Sequence, residues 1–228
     1  GDRVRRLKLA GGVVRSLGFA GVGSSSVVID DCFLSNNDDC VVIKAFEVGE
    51  KNLNQTHVDC REAVEDVSVR RCVFVNGPAG NAMEIGHELS VDHIRNVRFE
   101  DIDVVSVHGV GAVFSLHNND RATVEGVVFE NIRVEHCFDK FLDFRISRSR
   151  FSTDGERGRI RDVLLRNIYW NYLPFNEGYT ISLIGGWSED NRVENVRIEN
   201  FYKNDEKITD VDFLEICTRY ADQPVMIG

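Results

Sequence analysis

A repeat within the sequence constrains the fold more than any other feature. Five segments align, each beginning with Val or Ile and carrying Val at its fourth position: residues 64–69, 94–99, 124–129, 160–165 and 193–198. An earlier copy lies at residues 27–34. The copies are about 30 to 36 residues apart, a period typical of proteins whose repeats stack in a row. Each unit then buries its apolar face only against its neighbours, so the repeat predicts a stacked architecture.

Apolar and polar residues alternate within these segments, which is typical of strands with one buried face. A second apolar cluster follows each segment, and a third alternating stretch completes the copy, at residues 41–43, 83–85, 113–116, 142–146, 181–184 and 214–216. Three short strands per copy, without a helical pattern, predict an all-β fold, a right-handed parallel β-helix (solenoid). We expect one domain over residues 1–228, as a mature form or as a fragment or C-terminal part of a longer chain.

A β-sandwich or a β-propeller is the alternative architecture for strands of this kind. A propeller blade needs tight hairpin turns, and the turns at Arg70-Arg71 and Glu100-Asp101 lack the Asn-Gly pairs that such hairpins favour. Asn131, Asn167 and Asn200 recur at one position of the repeat, just before its second cluster. Stacked asparagines can satisfy the backbone of a corner, so we interpret these three as structural rather than as ligands.

Charge and cysteine content narrow the classes of function. The net charge is −10, from 27 Lys and Arg against 37 Asp and Glu, so a nucleic-acid partner is not expected. No apolar stretch has the roughly 20 residues that a membrane span needs. The six cysteines form no CxxC pair, which disfavours a zinc ribbon, and neither a metal nor a cofactor is predicted. Cys32 and Cys72 occupy equivalent repeat positions, so we expect them in the core as small hydrophobic side chains.

The candidate site begins with two adjacent carboxylates. Asp38 and Asp39 lead directly into the apolar strand that starts at Cys40, and Gly86-His87-Glu88 ends the corresponding strand of the next repeat. If those strands are neighbours, these side chains meet in one patch. Neighbouring carboxyl groups push their pKa values apart, so one is able to act as an acid and the other as a base. Glycoside hydrolysis needs that division, and we predict Asp38, Asp39 and His87 as catalytic residues.

Polar side chains continue along the same edge of the later repeats. A run of polar residues follows the third strand of one copy at residues 117–121, and an Arg and a Trp beside paired glycines follow in the next copies. A polar insertion between Phe46 and Ala63 is expected either to form one wall of this groove or to be a surface loop. The predicted substrate-binding residues are Lys44, Glu84, Glu88, His117, Asn118, Asp120, Arg121, Arg145 and Trp187.

The motifs Asn36-Asn37-Asp38-Asp39 and Gly86-His87 on a predicted β-helix resemble the polygalacturonase family and its distant relatives, the dextranases. The motifs cover residues 18–114 and the repeat covers the whole chain. The resemblance, which extends to the pectin lyase-like superfamily, implies an inverting glycoside hydrolase that is secreted or periplasmic. It also implies that Asp38 is the proton donor, that Asp39 helps to position water, and that His87 supports the site.

Two departures from that family pattern affect the expected substrate. The family has a further Asp about one repeat before the doublet, where this chain has Arg15-Ser16-Leu17; Glu84 or Glu88 is the candidate replacement. The pectinases also grip galacturonate with an Arg-Ile-Lys strand, where this chain has Phe114-Ser115-Leu116-His117. The absence of that basic pair leaves a neutral glycan, or another uronic glycan, as the substrate.

The leading hypothesis is therefore a hydrolase whose partner is a polysaccharide or an oligosaccharide. The first alternative is a carbohydrate-binding or adhesion β-helix without catalysis, which the missing Asp favours. The second is a polysaccharide lyase, for which Lys44 and Arg145 are the candidate base and charge-neutralising residues.

Overall fold

The computed structural model describes residues 1–10, 16–48, 58–173 and 181–228. Most of the insertion between Phe46 and Ala63 lies outside this part of the chain, so its predicted role as a groove wall does too. At the base of the insertion, two short strands pair antiparallel, Glu47–Val48 and Val58–Asp59. No helix among the described residues is long and apolar enough to cross a membrane.

The described residues form twenty strands and one short 3₁₀ helix, Val211–Leu214. The strands of the first half are β1 Arg3–Arg5, β2 Lys8–Ala10, β3 Phe19–Val22, β4 Val28–Asp30, β5 Phe33–Asn36, β6 Val41–Ala45, β7 Glu47–Val48, β8 Val58–Asp59, β9 Val64–Asn76 and β10 Met83–Leu89. Those of the second half are β11 His93–Val107, β12 Ala112–Asn118, β13 Thr123–Val134, β14 Lys140–Ile146, β15 Arg159–Trp170, β16 Ser182–Gly185, β17 Val193–Lys203, β18 Glu206–Ile208, β19 Ile216–Arg219 and β20 Val225–Ile227.

Two long sheets of parallel strands contain nearly all of these elements. The first sheet has the order β1-β4-β9-β11-β13-β15-β17-β18, and the second has the order β19-β16-β14-β12-β10-β6-β3. From β9 to β17 the chain alternates between the sheets, one strand in each per repeat. An all-β fold with long parallel sheets is compatible with a β-helix. It does not fit a propeller of antiparallel hairpins, because among the described residues the antiparallel pairing in the main sheets is that of β18 on β17.

The register of the first sheet confirms the repeat that the sequence predicts. Residues at the same repeat position pair directly: Val64, Ile94, Val124, Ile160 and Val193. The inward residues of both sheets make one core, in which the Phe114 and Phe129 rings lie 5.0 Å apart at a steep angle. Cys32 and Cys72 are buried there as free thiols, as expected. Stacking of identical positions therefore supplies the core that one repeat cannot form alone.

The long strands of the first sheet turn at residues in the left-handed region. Asn131, Asn167 and Asn200 have φ values of 55°, 54° and 52°. Their amides form a ladder: Asn200 donates to Asn167 at 3.1 Å, Asn167 to Asn131 at 2.8 Å, and Asn131 to Asp101 at 3.0 Å. Asn tolerates this conformation better than most residues because its short polar side chain hydrogen-bonds locally. The prediction that these asparagines are structural is confirmed.

Candidate functional site

The candidate site lies on the outer face of the second sheet. Side chains alternate along each strand, so Ile85, Leu116 and Phe144 enter the core while their neighbours point outward. One outward row, across β6, β10, β12 and β14, consists of Val42, Glu84, Ser115 and Asp143. The row beside it, across β10, β12, β14 and β16, consists of Gly86, His117, Arg145 and Gly185. The register therefore brings ionisable residues of three repeats into contact.

Glu84, His117 and Asp143 form what we call the buried ionic cluster. Their relative exposures are 0%, 4% and 2%. His117 Nδ1 lies 3.0 Å from Glu84 Oε1, and His117 Nε2 lies 3.3 Å from Asp143 Oδ2. The Ser115 hydroxyl is within 3.3 Å of both ring nitrogens, and Arg145 Nη1 lies 3.5 Å from Asp143 Oδ2. An imidazole is thus held between two carboxylates almost without water.

The charges in this cluster stabilise one another. Burial disfavours the charged form of His117, but the Glu84 and Asp143 carboxylates outweigh it and raise the pKa of His117 to about 9. Burial alone would raise the pKa of Glu84, yet the His117 charge lowers it below its ordinary value. The pKa of Asp143 is likewise lowered, because the hydrogen bond and the charge of His117 outweigh burial. At neutral pH the cluster therefore carries two negative charges and one positive charge.

His87 lies over the buried ionic cluster, and its pKa is shifted in the opposite direction to that of His117. Its ring stacks on the His117 ring, with centroids 4.4 Å apart. It also contacts the Phe151 ring, whose centroid lies 5.0 Å from that of His87. The Asn119 amide approaches His87 Nδ1 at 3.2 Å. Burial lowers the pKa of His87 to about 4; the Glu84 charge opposes this change, and the positive charges of His117 and Arg145 add to it. His87 is therefore neutral at pH 7.

Gly86 makes this arrangement of the two histidines possible. Its φ is +131°, and an added Cβ would lie 2.0 Å from the His117 carbonyl oxygen and 2.9 Å from Glu84 Oε1. Only a residue without a side chain fits at this position. The glycine of the Gly-His-Glu motif is thus required by the packing of the site.

The predicted Asp doublet lies at the start of β6, beside the same face. Asp39 is 8% exposed, and its Oδ1 accepts hydrogen bonds from the Asn81 backbone at 2.7 Å and from the Asn81 amide at 2.9 Å. Burial, and then the Glu84 charge, raise the pKa of Asp39 to about 7. Asp38 is more exposed, and its Oδ1 accepts the Asp39 N–H at 2.9 Å. The Glu84 charge therefore raises the pKa of Asp39, just as it acts to raise the pKa of His87.

Lys44 and Glu88 lie together at the outer edge of this face. Lys44 Nζ is 2.8 Å from Glu88 Oε2, and both side chains are largely buried. Each therefore neutralises the other's charge. Arg145 is also paired, through Asp143.

The structure gives Asn118 and Asp120 a different role from the predicted one. Both are fully buried. The Asn118 amide donates to the Ala122 carbonyl at 2.6 Å, and Asp120 accepts from the backbone of Leu89, Thr153 and Asp154 at 2.7 to 2.9 Å. The prediction of substrate contacts is corrected here, because these side chains are occupied in fixing the corner after β12.

Arg121 and Trp187 remain accessible, although neither touches the buried ionic cluster. Arg121 lies 3.6 Å from Asp154 and 3.9 Å from Asp92. The Trp187 side chain is 48% exposed, with the Arg157 guanidinium 5.9 Å from its ring. Arg157 in turn donates to the Asn119 carbonyl, which connects Trp187 to the His87 end of the site.

Sequence reasoning missed Asp143 and Ser115, and it included Asn119 in the polar run of residues 117–121 without giving it a role. Asp143 and Ser115 stand two residues before Arg145 and His117, so the period-two alternation of β12 and β14 carried the signal that they share the outer face. Within that polar run, no local signal distinguishes Asn119 from its neighbours. It is identified only by its contacts, which include the Ser147 and Ser149 hydroxyls at 2.8 and 2.6 Å.

Comparison with known proteins gives this chain no relative. No family model, no curated protein and no solved structure matches it. The likeness to polygalacturonases therefore remains a resemblance of two short motifs. What the site does has to be inferred from its geometry.

Proposed function

We propose that the chain is a right-handed parallel β-helix that hydrolyses a glycan, with inversion, on the outer face of its second sheet. The alternation of the chain between two parallel sheets, one repeat per step, supports the β-helix. The motifs that resemble polygalacturonases lie on that outer face. A β-helix offers such a face as an elongated surface, which suits a polymer.

The burial of Asp39, which is 8% exposed and lies within reach of the Glu84 charge, is the observation that carries the proposal. With a pKa of about 7, this carboxyl group holds a proton in about half of the molecules at neutral pH. Glu84 remains ionised, and its charge is one cause of that raised pKa. Glycosidases need one carboxyl group that is protonated at working pH beside another that is not. Glu84 thus favours the protonated form of Asp39, which is what a general acid requires.

In the proposed mechanism Asp39 donates its proton to the glycosidic oxygen as the bond breaks. Asp38, the more exposed of the doublet, accepts a proton from the water that attacks the anomeric carbon from the opposite side. The resemblance to polygalacturonases implies instead that Asp38 is the proton donor and that Asp39 helps to position the water. We assign the reverse roles because burial and the Glu84 charge favour the protonated form of Asp39.

A neutral glycan is the proposed substrate class. Lys44 is neutralised by Glu88 and Arg145 by Asp143, so these two cations are not available to bind a uronate. The net charge of −10 also repels a polyanionic chain. The same pairing disfavours a lyase, which would need these cations as base and as neutralising charge. The exposed Trp187 ring offers a surface on which a sugar can stack.

The test is reducing-end release from a panel of neutral polysaccharides and polygalacturonate, with the wild type, Asp39→Asn and Asp38→Asn. We expect turnover of a neutral glycan, and a fall of roughly 10²- to 10⁴-fold in kcat in either variant. Above about pH 7 the activity of the wild type should fall as Asp39 loses its proton.

The matched control is Asp66→Asn, on the first sheet. Asp66 lies at a corner position that the next repeat fills with Asn96, so this substitution should leave both folding and activity unchanged. Full activity in Asp39→Asn would contradict the proposal. Glycan binding by the wild type without any reducing-end release would instead support the carbohydrate-binding alternative.

A further inference from the structure

Three potential metal ligands converge at the buried ionic cluster. The ligand atoms of Glu84, His87 and His117 all lie within 4.8 Å of one another. Among the described residues, this is the one group of three or more His, Cys, Asp or Glu side chains that is placed to hold a metal ion. Clusters of acidic residues are common without an ion, but two of these ligands are imidazoles and the carboxylate is fully buried.

A second observation points to a missing ligand. Neither oxygen of the buried Glu84 carboxylate has a well-aligned hydrogen-bond donor within the described part of the chain. His117 Nδ1 lies 3.0 Å from Glu84 Oε1 as an ion pair, and the approach of His117 and Ser115 helps to lower the Glu84 pKa, although neither contact has the alignment of a hydrogen bond. Buried carboxylate oxygens are normally hydrogen-bonded or bound to a metal, because leaving them unpaired costs free energy.

We propose that Glu84, His87 and His117 bind a divalent transition-metal ion of the Zn²⁺ type. Two imidazoles and one carboxylate are a ligand set that suits such ions and leaves a fourth position open. In a tetrahedral site, metal–ligand bonds of about 2.1 Å place two ligand atoms about 3.4 Å apart. The ligand atoms of Glu84, His87 and His117 lie within 4.8 Å of one another, so binding requires the widest pair to close by up to about 1.4 Å. The half-buried His87, between Phe151 and the cluster, is the ligand that is able to move and give the ion a route in.

The surroundings of the histidines resemble those of known metal ligands in proteins. A metal-bound His usually donates its other ring N–H to a carboxylate or an amide oxygen, which fixes the ring. With His117 Nδ1 on the metal, Nε2–H faces Asp143 Oδ2 at 3.3 Å. With His87 Nε2 on the metal, Nδ1–H faces the Asn119 amide at 3.2 Å.

The orientation of the Asn119 amide is compatible with this role. Its oxygen and nitrogen face the Ser147 and Ser149 hydroxyls, which are able both to donate and to accept. The amide can therefore turn over without losing either bond, and then present its oxygen to His87 Nδ1–H. Asp143 and Asn119 would thus hold the two imidazoles in the tautomers that metal binding requires.

The competing explanation is a self-sufficient ion triad, in which a protonated His117 alone neutralises Glu84 and Asp143. Titration of the EDTA-treated full chain with ZnCl₂ by isothermal calorimetry separates the two. We expect one Zn²⁺ per chain, with an affinity that increases from pH 6 to pH 8 because the ligating imidazoles must be neutral. CoCl₂ should give a visible absorption spectrum of a protein-bound ion, whereas CaCl₂ and MgCl₂ should not bind, since those ions prefer oxygen ligands.

Substitutions test whether any Zn²⁺ binding belongs to Glu84, His87 and His117. His87→Gln and Glu84→Gln should lose the Zn²⁺ site, and Asp143→Asn should weaken it about 10- to 100-fold by releasing His117. His87 carries less of the packing than Glu84, so His87→Gln decides the matter if Glu84→Gln does not fold. The matched control is the double variant His108→Gln/His136→Gln, which removes an exposed pair with ring nitrogens 3.0 Å apart.

Two results would overturn the proposal. One is the absence of Zn²⁺ binding by the wild type at any pH between 6 and 8, which supports the ion triad. The other is binding that survives in His87→Gln but disappears in the His108/His136 variant, which assigns the ion to the exposed pair. Thermal unfolding gives an independent readout, because bound Zn²⁺ should raise the Tm of the wild type and of the control only. None of these measurements requires activity on a glycan.

Discussion

Each of the two sheets carries a His–Glu pair across neighbouring strands, and the two pairs differ in their access to water. In the first sheet, His93 Nε2 lies 2.6 Å from Glu65 Oε1, and both side chains are about 30% exposed. In the second, His117 Nδ1 lies 3.0 Å from Glu84 Oε1, and both are buried. The same parallel stacking therefore produces one pair that water screens and one that it does not.

The outer face of the first sheet extends this pattern into a ladder of exposed ion pairs. Arg161 pairs with Glu125, and Arg166 with Glu199, at 2.6 and 2.7 Å. Exposed pairs of this kind contribute little to stability, because water already solvates their charges. A buried ion pair must overcome desolvation, and such groups cluster at functional sites more often than chance would place them. Burial, and not charge alone, distinguishes the candidate site from the ladder.

The largest expected effect comes from breaking the buried pair. His117→Gln leaves Glu84 buried without its cation and Asp143 with Arg145 alone, which should lower the free energy of unfolding by roughly 3–5 kcal/mol. His93→Gln removes the exposed counterpart and should change it very little. Urea denaturation of both variants at pH 7, in the presence of EDTA, measures the difference. Equal losses in the two variants would mean that the buried ionic cluster is solvated like the surface.

The second prediction compares two glycines with positive φ, one in each sheet. Gly86→Ala forces a Cβ against the His117 carbonyl, so we expect a loss of roughly 2–4 kcal/mol from overpacking and strain. Gly126, with φ +65°, has only the Asn96 side chain and backbone at 3.4 Å or beyond. Gly126→Asn should be close to neutral, since Asn96 occupies the same position one repeat earlier. Chemical denaturation of both variants provides the check, and a stable Gly86→Ala would show that the site is loosely packed.

The third prediction uses the pH dependence of stability. His117 has a pKa of about 9 in the fold and about 6.5 when unfolded, so its contribution is complete below pH 6.5 and is lost as the pH rises towards 9. We expect a loss on the order of 2 kcal/mol between pH 6.5 and 8.5 in EDTA. Urea denaturation across that range should show the full slope in the wild type and in His93→Gln. In His117→Gln only the smaller slope that Asp39 contributes, with its pKa of about 7, should remain. A slope that is undiminished in His117→Gln would assign it to other groups.

Much of the fold was predictable because residues at equivalent positions of the repeat pair with one another. Val64 with Ile94, and Asn131 with Asn167, align in the sequence and lie in register in the structure. A stacked strand has few alternatives, since a shift by one residue would turn every apolar side chain outward. The corner asparagines were predictable for a similar reason, because few residues adopt positive φ without strain.

The site was less predictable because the Asp38-Asp39 doublet is a visible motif, whereas the contact at the centre of the site joins residues of two later strands, β12 and β14. Asp38, Asp39, Glu84 and His117 were named from the sequence, yet the central contact of His117 with Asp143 was not. Asn118 and Asp120 were placed with the ligands because the sequence does not say which side of the corner after β12 faces water. The pKa values of Asp39 and His117 depend on burial and on charges one repeat away, and those are properties of the stacked structure.

The smallest expected effect concerns the asparagine ladder, a polar array that is structural by our interpretation. Asn167→Ala loses two ladder hydrogen bonds and places Ala at φ near 54°, which should cost roughly 1–2 kcal/mol. Asn167→Gly keeps the backbone relaxed and should cost less than the Ala variant. Neither substitution should alter the pH slope assigned to His117, because Asn167 carries no charge. Denaturation at pH 6.5 and 8.5 tests both points, and a change of slope in either variant would show that the two sheets are coupled more tightly than their contacts imply.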